Sequence, residues 1–286
     1  MKLRFYLSLF SIVAAAFTST AFAQKRNITE KDLFNFVWTG DAQVSPDGAR
    51  VAFVRVTVNE KKEGYNTSIW VVPTAGNEAP HRLTSGERDS LPRWSPDGKF
   101  LVFTRTTEKD GKPESPQLFM LSMAGGDAFG FTSLPKGAGD PKWSPDGKLI
   151  LFTSSSNPED LDKQEKKKRK EEEAKRAAMA AGPSASPAKE SDKKPADDAA
   201  RKAEAEAERE SDIHVVTRAV YRSNNEGYLD FKRPQHFWIV PAPRNADEKV
   251  QPKQLTSGRF DEDSAVWSND GAQIYFTTLR NDEPYY

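Results

Sequence analysis

One short pattern returns four times along the chain. Val44-Ser45-Pro46-Asp47-Gly48, Trp94-Ser95-Pro96-Asp97-Gly98 and Trp143-Ser144-Pro145-Asp146-Gly147 are followed, much later, by Trp267-Ser268-Asn269-Asp270-Gly271. Ser45, Ser95 and Ser144 are 50 and 49 residues apart, and each pattern leads into an apolar run such as Phe100-Leu101-Val102-Phe103 or Leu149-Ile150-Leu151-Phe152. A repeat of this period means one supersecondary unit per repeat, stacked so that neighbours bury each other's faces. Pro sets φ for the first central turn position, Asp suits the second, and Gly accepts the left-handed conformation that closes the turn. Short apolar runs bounded by such turns read as buried strands.

Two weaker patterns complete the unit. Ile69-Trp70-Val71-Val72, Leu118-Phe119-Met120-Leu121 and Phe237-Trp238-Ile239-Val240 supply a further strand in each repeat. Leu83-Thr84-Ser85-Gly86, Phe131-Thr132-Ser133 and Leu255-Thr256-Ser257-Gly258 mark an outer strand. Four short antiparallel strands per repeat make a propeller blade. The fold class expected is therefore all-β, an incomplete β-propeller with a charged insertion that is helical or disordered. Trp94, Trp143 and Trp267 are expected to fill the space between blades. Asp47, Asp97, Asp146 and Asp270 read as turn residues, not catalytic carboxylates. Val44 replaces the Trp in the first repeat and Asn269 replaces the Pro in the fourth, in keeping with atypical terminal repeats.

The third repeat is interrupted. From Glu159 to Asp212 there are 54 residues, 14 basic and 16 acidic, with no aromatic side chain. Lys163–Met179 and Ala199–Glu210 are rich in helix formers, and Gly182, Pro183, Pro187 and Pro195 break the path between them. The expectation is a pair of solvated helices on a disordered tether. Lys166-Lys167-Lys168-Arg169-Lys170 resembles an anion-binding patch, but Glu171, Glu172 and Glu173 follow at once. The boundaries expected are 1–23 for an export signal, 24–156 for the first blades, 157–212 for the insertion and 213–286 for the continued propeller.

The N-terminus reads as an address. Lys2 and Arg4 precede an apolar run from Phe5 to Phe17, and Ala21 and Ala23 place small residues ahead of a cleavage between Ala23 and Gln24. The apolar run is shorter than the ~20 residues a membrane span needs. The whole chain has no cysteine, so this leader cannot carry a lipid anchor, and disulfides, thiolate metal sites and a cysteine nucleophile are excluded. The expected location is secreted or periplasmic, with no membrane span after cleavage.

Chemistry is harder to find. Forty-two basic residues balance 42 acidic ones, which argues against a nucleic-acid partner attracted by overall charge. No Gly-x-Ser-x-Gly elbow occurs, and Gly182-Pro183-Ser184-Ala185-Ser186 lacks the second glycine. Metalloprotease, P-loop, dinucleotide and EF-hand motifs are missing too. His81, His214 and His236 lie one to a segment. The expectation is no catalytic residue, no metal and no cofactor. The chain breaks off after the hairpin of its fourth unit, so it reads as the front of a longer protein.

Ile28-Thr29-Glu30-Lys31-Asp32-Leu33, running into Gln43–Phe53, resembles the N-terminal propeller of secreted serine peptidases of the prolyl oligopeptidase family (S9), in the acylaminoacyl-peptidase and dipeptidyl-peptidase-like branch. Val216–Arg222 with Gly227-Tyr228, just before Phe237, resembles the same branch. The Ser-Pro-Asp-Gly repeat is shared with periplasmic TolB-type propellers. The S9 resemblance implies a cap over an α/β-hydrolase domain that carries a Ser-Asp-His triad and lies C-terminal to the propeller, outside this chain. The partner implied is a short peptide substrate that this domain would cleave. Arg218 and Arg222 are candidates to face the channel and bind a peptide carboxylate or carbonyl; the competing assignment is an exposed strand position, which the residues themselves favour. The rival to the peptidase is a free-standing TolB-like propeller that binds protein.

Overall fold

The computed structural model describes residues 26–180, 222–223, 227–228 and 230–281. The Ala23–Gln24 cleavage site, His214 and Arg218 lie outside them, as does the second helical stretch expected at Ala199–Glu210.

The repeats fold as blades. Blade 1 comprises β1 (Val37–Val44), β2 (Arg50–Val58), β3 (Tyr65–Pro73) and β4 (His81–Arg82). Blade 2 comprises β5 (Asp89–Trp94), β6 (Phe100–Arg105), β9 (Gln117–Ser122) and β10 (Phe129–Gly130), with a small ribbon, β7 (Glu108–Lys109) and β8 (Lys112–Pro113), between its middle strands. Blade 3 comprises β11 (Gly139–Trp143), β12 (Leu149–Ser154), β15 (His236–Pro241) and β16 (Lys253–Gln254). The fourth unit is the pair β17 (Glu262–Trp267) and β18 (Ile274–Thr278). All pairings within these sheets are antiparallel, and β1, β5 and β11 lie side by side as the inner strands.

Each turn is the same hydrogen-bonded knot. Ser45 Oγ donates to Asp47 Oδ1 at 2.5 Å, the Ala49 N–H donates to the same oxygen at 3.0 Å, and the Arg50 N–H donates to Ser45 Oγ at 3.0 Å. The set recurs at Ser95/Asp97, Ser144/Asp146 and Ser268/Asp270. The Ser hydroxyl, and after it the backbone N–H, favour the ionised form and hold all four carboxyls below the ordinary range. Gly48, Gly98, Gly147 and Gly271 close the turns at φ of 68° to 71°, a region open to glycine. These aspartates are turn residues, as expected.

Packing follows from two-sided burial. On β6, Leu101 and Phe103 face blade 1 and meet Ala52, Ile69 and Val71. Val102, between them, faces blade 3 with Leu118 and Met120, and meets Ile150, Phe152, Trp238 and Val240. Because both faces are covered, the strands read as continuous apolar runs instead of alternating ones. The Trp expected between blades is there and does more than fill space. Trp94 Nε1 donates to Gln43 O at 3.0 Å, Trp143 Nε1 to Arg93 O at 3.1 Å and Trp267 Nε1 to Lys142 O at 3.3 Å. Each indole thus ties its blade to the inner strand of the blade before.

The outer strand lies next to the third sequence pattern, as expected. It is two residues long and ends just before that pattern, whose threonine takes over the pairing. Thr84, Thr132 and Thr256 Oγ1 accept the N–H of Ile69, Leu118 and Phe237 at 3.1, 2.8 and 2.9 Å.

The insertion leaves the third blade between β12 and β15, which pair with each other from Leu149↔Pro241 to Ser154↔His236. It is therefore an enlarged hairpin loop. Helix α1 (Pro158–Ala180) opens it, starting earlier than the Lys163 that composition suggests. Asn157 caps it: the Asp160 N–H donates to Asn157 Oδ1 at 2.8 Å, and Asp160 Oδ2 accepts from the Asn157 N–H at 3.2 Å. Of the strand-like stretch 213–222 only its last residue is described, in the ribbon of β13 (Arg222–Ser223) and β14 (Gly227–Tyr228).

Candidate functional site

The inner strands carry the chemistry that faces the axis of a propeller. Each breaks register once, between Gly40 and Gln43, Ser90 and Arg93, Gly139 and Lys142, and Asp263 and Val266. At each bulge one non-glycine residue is left-handed: Asp41, Leu91, Asp140 and Ser264, with φ of 45°, 54°, 45° and 55°. Each stands four positions before the serine of its turn. A bulge in every inner strand re-aims side chains at the same level of every blade, and the left-handed backbone is a strained choice for Leu91.

At that level two polar clusters bridge neighbouring blades. Arg93 Nη1 donates to Asp41 Oδ1 at 2.9 Å and Oδ2 at 2.8 Å, joining blade 2 to blade 1. Gln43 Nε2 donates to Asp41 Oδ1 at 2.7 Å. In blade 3, Lys142 Nζ lies 3.0 Å from Asp140 Oδ2 and donates to Ala265 O of the fourth unit at 2.7 Å. All four charged side chains keep partial exposure. The array can present both signs of charge to a ligand on the axis, while its carboxylates, held by cations, are poorly placed to act as general bases.

Sequence reasoning passed over Asp41, Arg93, Asp140 and Lys142. A signal existed: Leu91-Pro92-Arg93-Trp94 and Asp140-Pro141-Lys142-Trp143 place a basic residue before the inter-blade Trp at the repeat spacing. Of the predicted residues, Arg222 is exposed on β13, in a ribbon separate from the blade sheets.

Other ionisable groups are structural. Asp89 is fully buried at the start of β5, and Arg105 Nε and Nη2 donate to its two oxygens at 2.7 and 2.8 Å. That hydrogen bond raises the Arg105 pKa above its ordinary value. A Cβ on Gly86 would sit 2.3 Å from Asp89 Oδ1, so this corner needs glycine. His81 is exposed on an outer strand. His236 is buried between blades 3 and 4, with Nδ1 3.3 Å from Glu262 Oε2 and Nε2 3.1 Å from Gly258 O. Among the described residues no three His, Asp or Glu side chains are grouped to hold a metal ion, and no helix is long and apolar enough to cross a membrane.

The family model described as the TolB beta propeller domain matches residues 24–191. The uncharacterized peptidase YuxL of Bacillus subtilis is 40% identical over 115 residues, 40% of this chain and 17% of its own length. The acylaminoacyl peptidase of Pyrococcus horikoshii aligns over 91% of this chain and 31% of its own, with 16% identity and a TM-score of 0.53. An acylaminoacyl peptidase in complex with Z-Gly-Gly-Phe-chloromethyl ketone aligns over 90% and 31%, with 15% identity and the same TM-score. The chain thus spans under a third of these relatives.

Proposed function

The chain belongs to the TolB β-propeller domain family, and from that premise we propose that it is the propeller portion of an S9 serine peptidase, gating short peptides toward a hydrolase domain that this chain does not contain. The observation that carries the proposal is the 40% identity to a peptidase that is several times longer than the matched segment. The resemblance of Ile28–Leu33 and Val216–Arg222 to the acylaminoacyl- and dipeptidyl-peptidase-like branch supports it. In this reading the peptide passes the inner-strand array of Asp41, Arg93, Asp140 and Lys142, whose mixed charges select for the charged ends of short peptides. Arg218 and Arg222 add cations for a carboxylate or carbonyl. The leader is removed between Ala23 and Gln24, and the protein works outside the cytoplasm.

The test is the intact mass of the protein captured from its source with an antibody to blade 2, followed by labelling with a fluorophosphonate. A polypeptide far heavier than the 31.9 kDa of these residues, starting at Gln24 and labelled on a serine, is the expected result. A mass matching residues 24–286 with no labelling overturns it, in favour of a free-standing TolB-like propeller that binds protein.

A further inference from the structure

Between blades 2 and 3 a cleft of about 430 Å³ opens at the outer side of the propeller, within the size range of small-ligand sites. One wall is the outer edge of blade 2, with Phe129 and Phe131. The second is the start of α1, which turns Leu161, Gln164 and Lys168 inward at helical spacing. The third is the loop before β16, with Lys249 and Val250. Trp238 of β15 belongs to the lining.

Trp238 is 3% exposed, and its Nε1 has no hydrogen-bond partner among the described residues. Trp38 is 41% exposed, and the remaining indoles of the blades are provided for: Trp94, Trp143 and Trp267 donate to carbonyls, and Trp70, at the matching position of blade 1, donates to Ser68 Oγ at 3.0 Å. Two positions before Trp238 the strand has His236, which is engaged with Glu262 and Gly258. Blade 2 has Phe119 at this place, so packing alone does not require an indole. A buried donor left unsatisfied is destabilising, and the residue that carries it lines the cleft.

The rim sets the sign of that acceptor. Lys168 Nζ reaches Ser133 Oγ at 3.5 Å, and Lys249, exposed, also lines the cleft. The one acid among the described lining residues, Glu248, is turned to its own loop, accepting from the Arg244 N–H and from Asn245 Nδ2 at 3.1 and 3.0 Å. A lining that mixes aromatic and aliphatic side chains with polar ones, an unused N–H and a cationic rim suit one class of molecule. We propose that this cleft binds a small carboxylate with an aromatic or branched apolar body, whose oxygen accepts from Trp238 Nε1 and whose charge is met by Lys168. The site is independent of the peptidase reading.

The experiment titrates the full chain, labelled with ¹⁵N, with 3-phenylpropanoate and with its uncharged amide, following the indole N–H resonances. Trp238→Phe identifies the Trp238 signal and keeps the ring packing. The carboxylate is expected to shift that signal downfield and to bind at least about 5-fold more tightly than the amide. Lys168→Gln, at an exposed position, should weaken the carboxylate several-fold and leave the amide unchanged, and it remains informative if Trp238→Phe unfolds. A Trp238 signal unmoved at millimolar carboxylate, equal affinity for acid and amide, or indifference to Lys168→Gln overturns the proposal.

Discussion

Blade 2 and helix α1 are built by opposite rules. In blade 2, Leu101, Val102, Phe103, Leu118 and Met120 have no exposed surface at all, so order comes from apolar area removed from water on both faces of one sheet. Beyond its first turns, α1 exposes a face of Lys, Arg and Glu on every side, and its stability rests on propensity and local charge pairs. The two meet at the base of the helix. There Arg233 Nε and Nη2 donate to Asp160 at 2.8 and 3.0 Å, with both side chains under a tenth exposed, and Leu161 packs on the core between blades 2 and 3. A propeller accepts such an insertion because the loop starts and ends on paired strands, and closure entropy grows only slowly with loop length.

The comparison can be broken most sharply in the core. Phe103→Ala should lower unfolding free energy by about 3–5 kcal/mol, read from urea midpoints. A loss below about 1 kcal/mol would show that the blades are not cooperatively packed.

Asp160→Ala attacks the joint between the two regions. It takes one carboxylate from the buried Arg233, whose Nη1 keeps its hydrogen bond to Asp230 at 2.5 Å, and should cost about 2–3 kcal/mol. Hydrogen exchange should show α1 losing protection before β12 and β15. If α1 and blade 3 lose protection together, the joint is not what anchors the helix.

Trp143→Phe keeps the ring and removes one tie between blades 2 and 3, at about 1 kcal/mol. The same substitution at Trp238 deletes no hydrogen bond and should cost less, so equal losses would deny the inter-blade bond its role.

Acid should act on the turns and the joint together. Asp47, Asp97, Asp146 and Asp270 are held low first by their serines. At Asp160 burial pushes the carboxyl up, but Arg233 and the Asn157 N–H outweigh it and the net shift is downward. A folded pKa below the unfolded ~3.9 gives stability that is complete above ~3.9 and is lost as pH falls through the folded values. Unfolding midpoints should be insensitive to these groups near neutrality and decline below about pH 4, with a shallower decline in Asp146→Asn. An unchanged slope in that variant would separate the turns from acid stability. The smallest effect is Lys167→Ala on the exposed helix, within about 0.5 kcal/mol.

The turns, the blade period, the inter-blade tryptophans and the site of the insertion were legible because each rests on contacts within a few residues, or on a pattern that repeats. The Ser-Pro-Asp-Gly knot closes on itself, so its residues name their structure wherever they occur. The outer strand lies next to its Leu-Thr-Ser pattern, as expected, but its two-residue length was not legible, because Thr84, Thr132 and Thr256 replace strand pairing with a side-chain hydrogen bond that no hydrophobic pattern records.

The candidate site was hidden for a different reason. Arg93 finds Asp41 52 positions away and Arg233 finds Asp160 73 positions away, partners that only blade stacking and strand pairing bring within reach. The left-handed bulges at Asp41, Leu91, Asp140 and Ser264 accompany a register break against the strand beside them, and only the two aspartates are residue types that favour that region. The sequence by itself determined a propeller built of repeated turns and two-sided strands, because those depend on short-range chemistry. Which charged side chains meet along the inner strands, and which indole is left without an acceptor, was decided only by tertiary structure, because each depends on geometry between blades that are far apart in the chain.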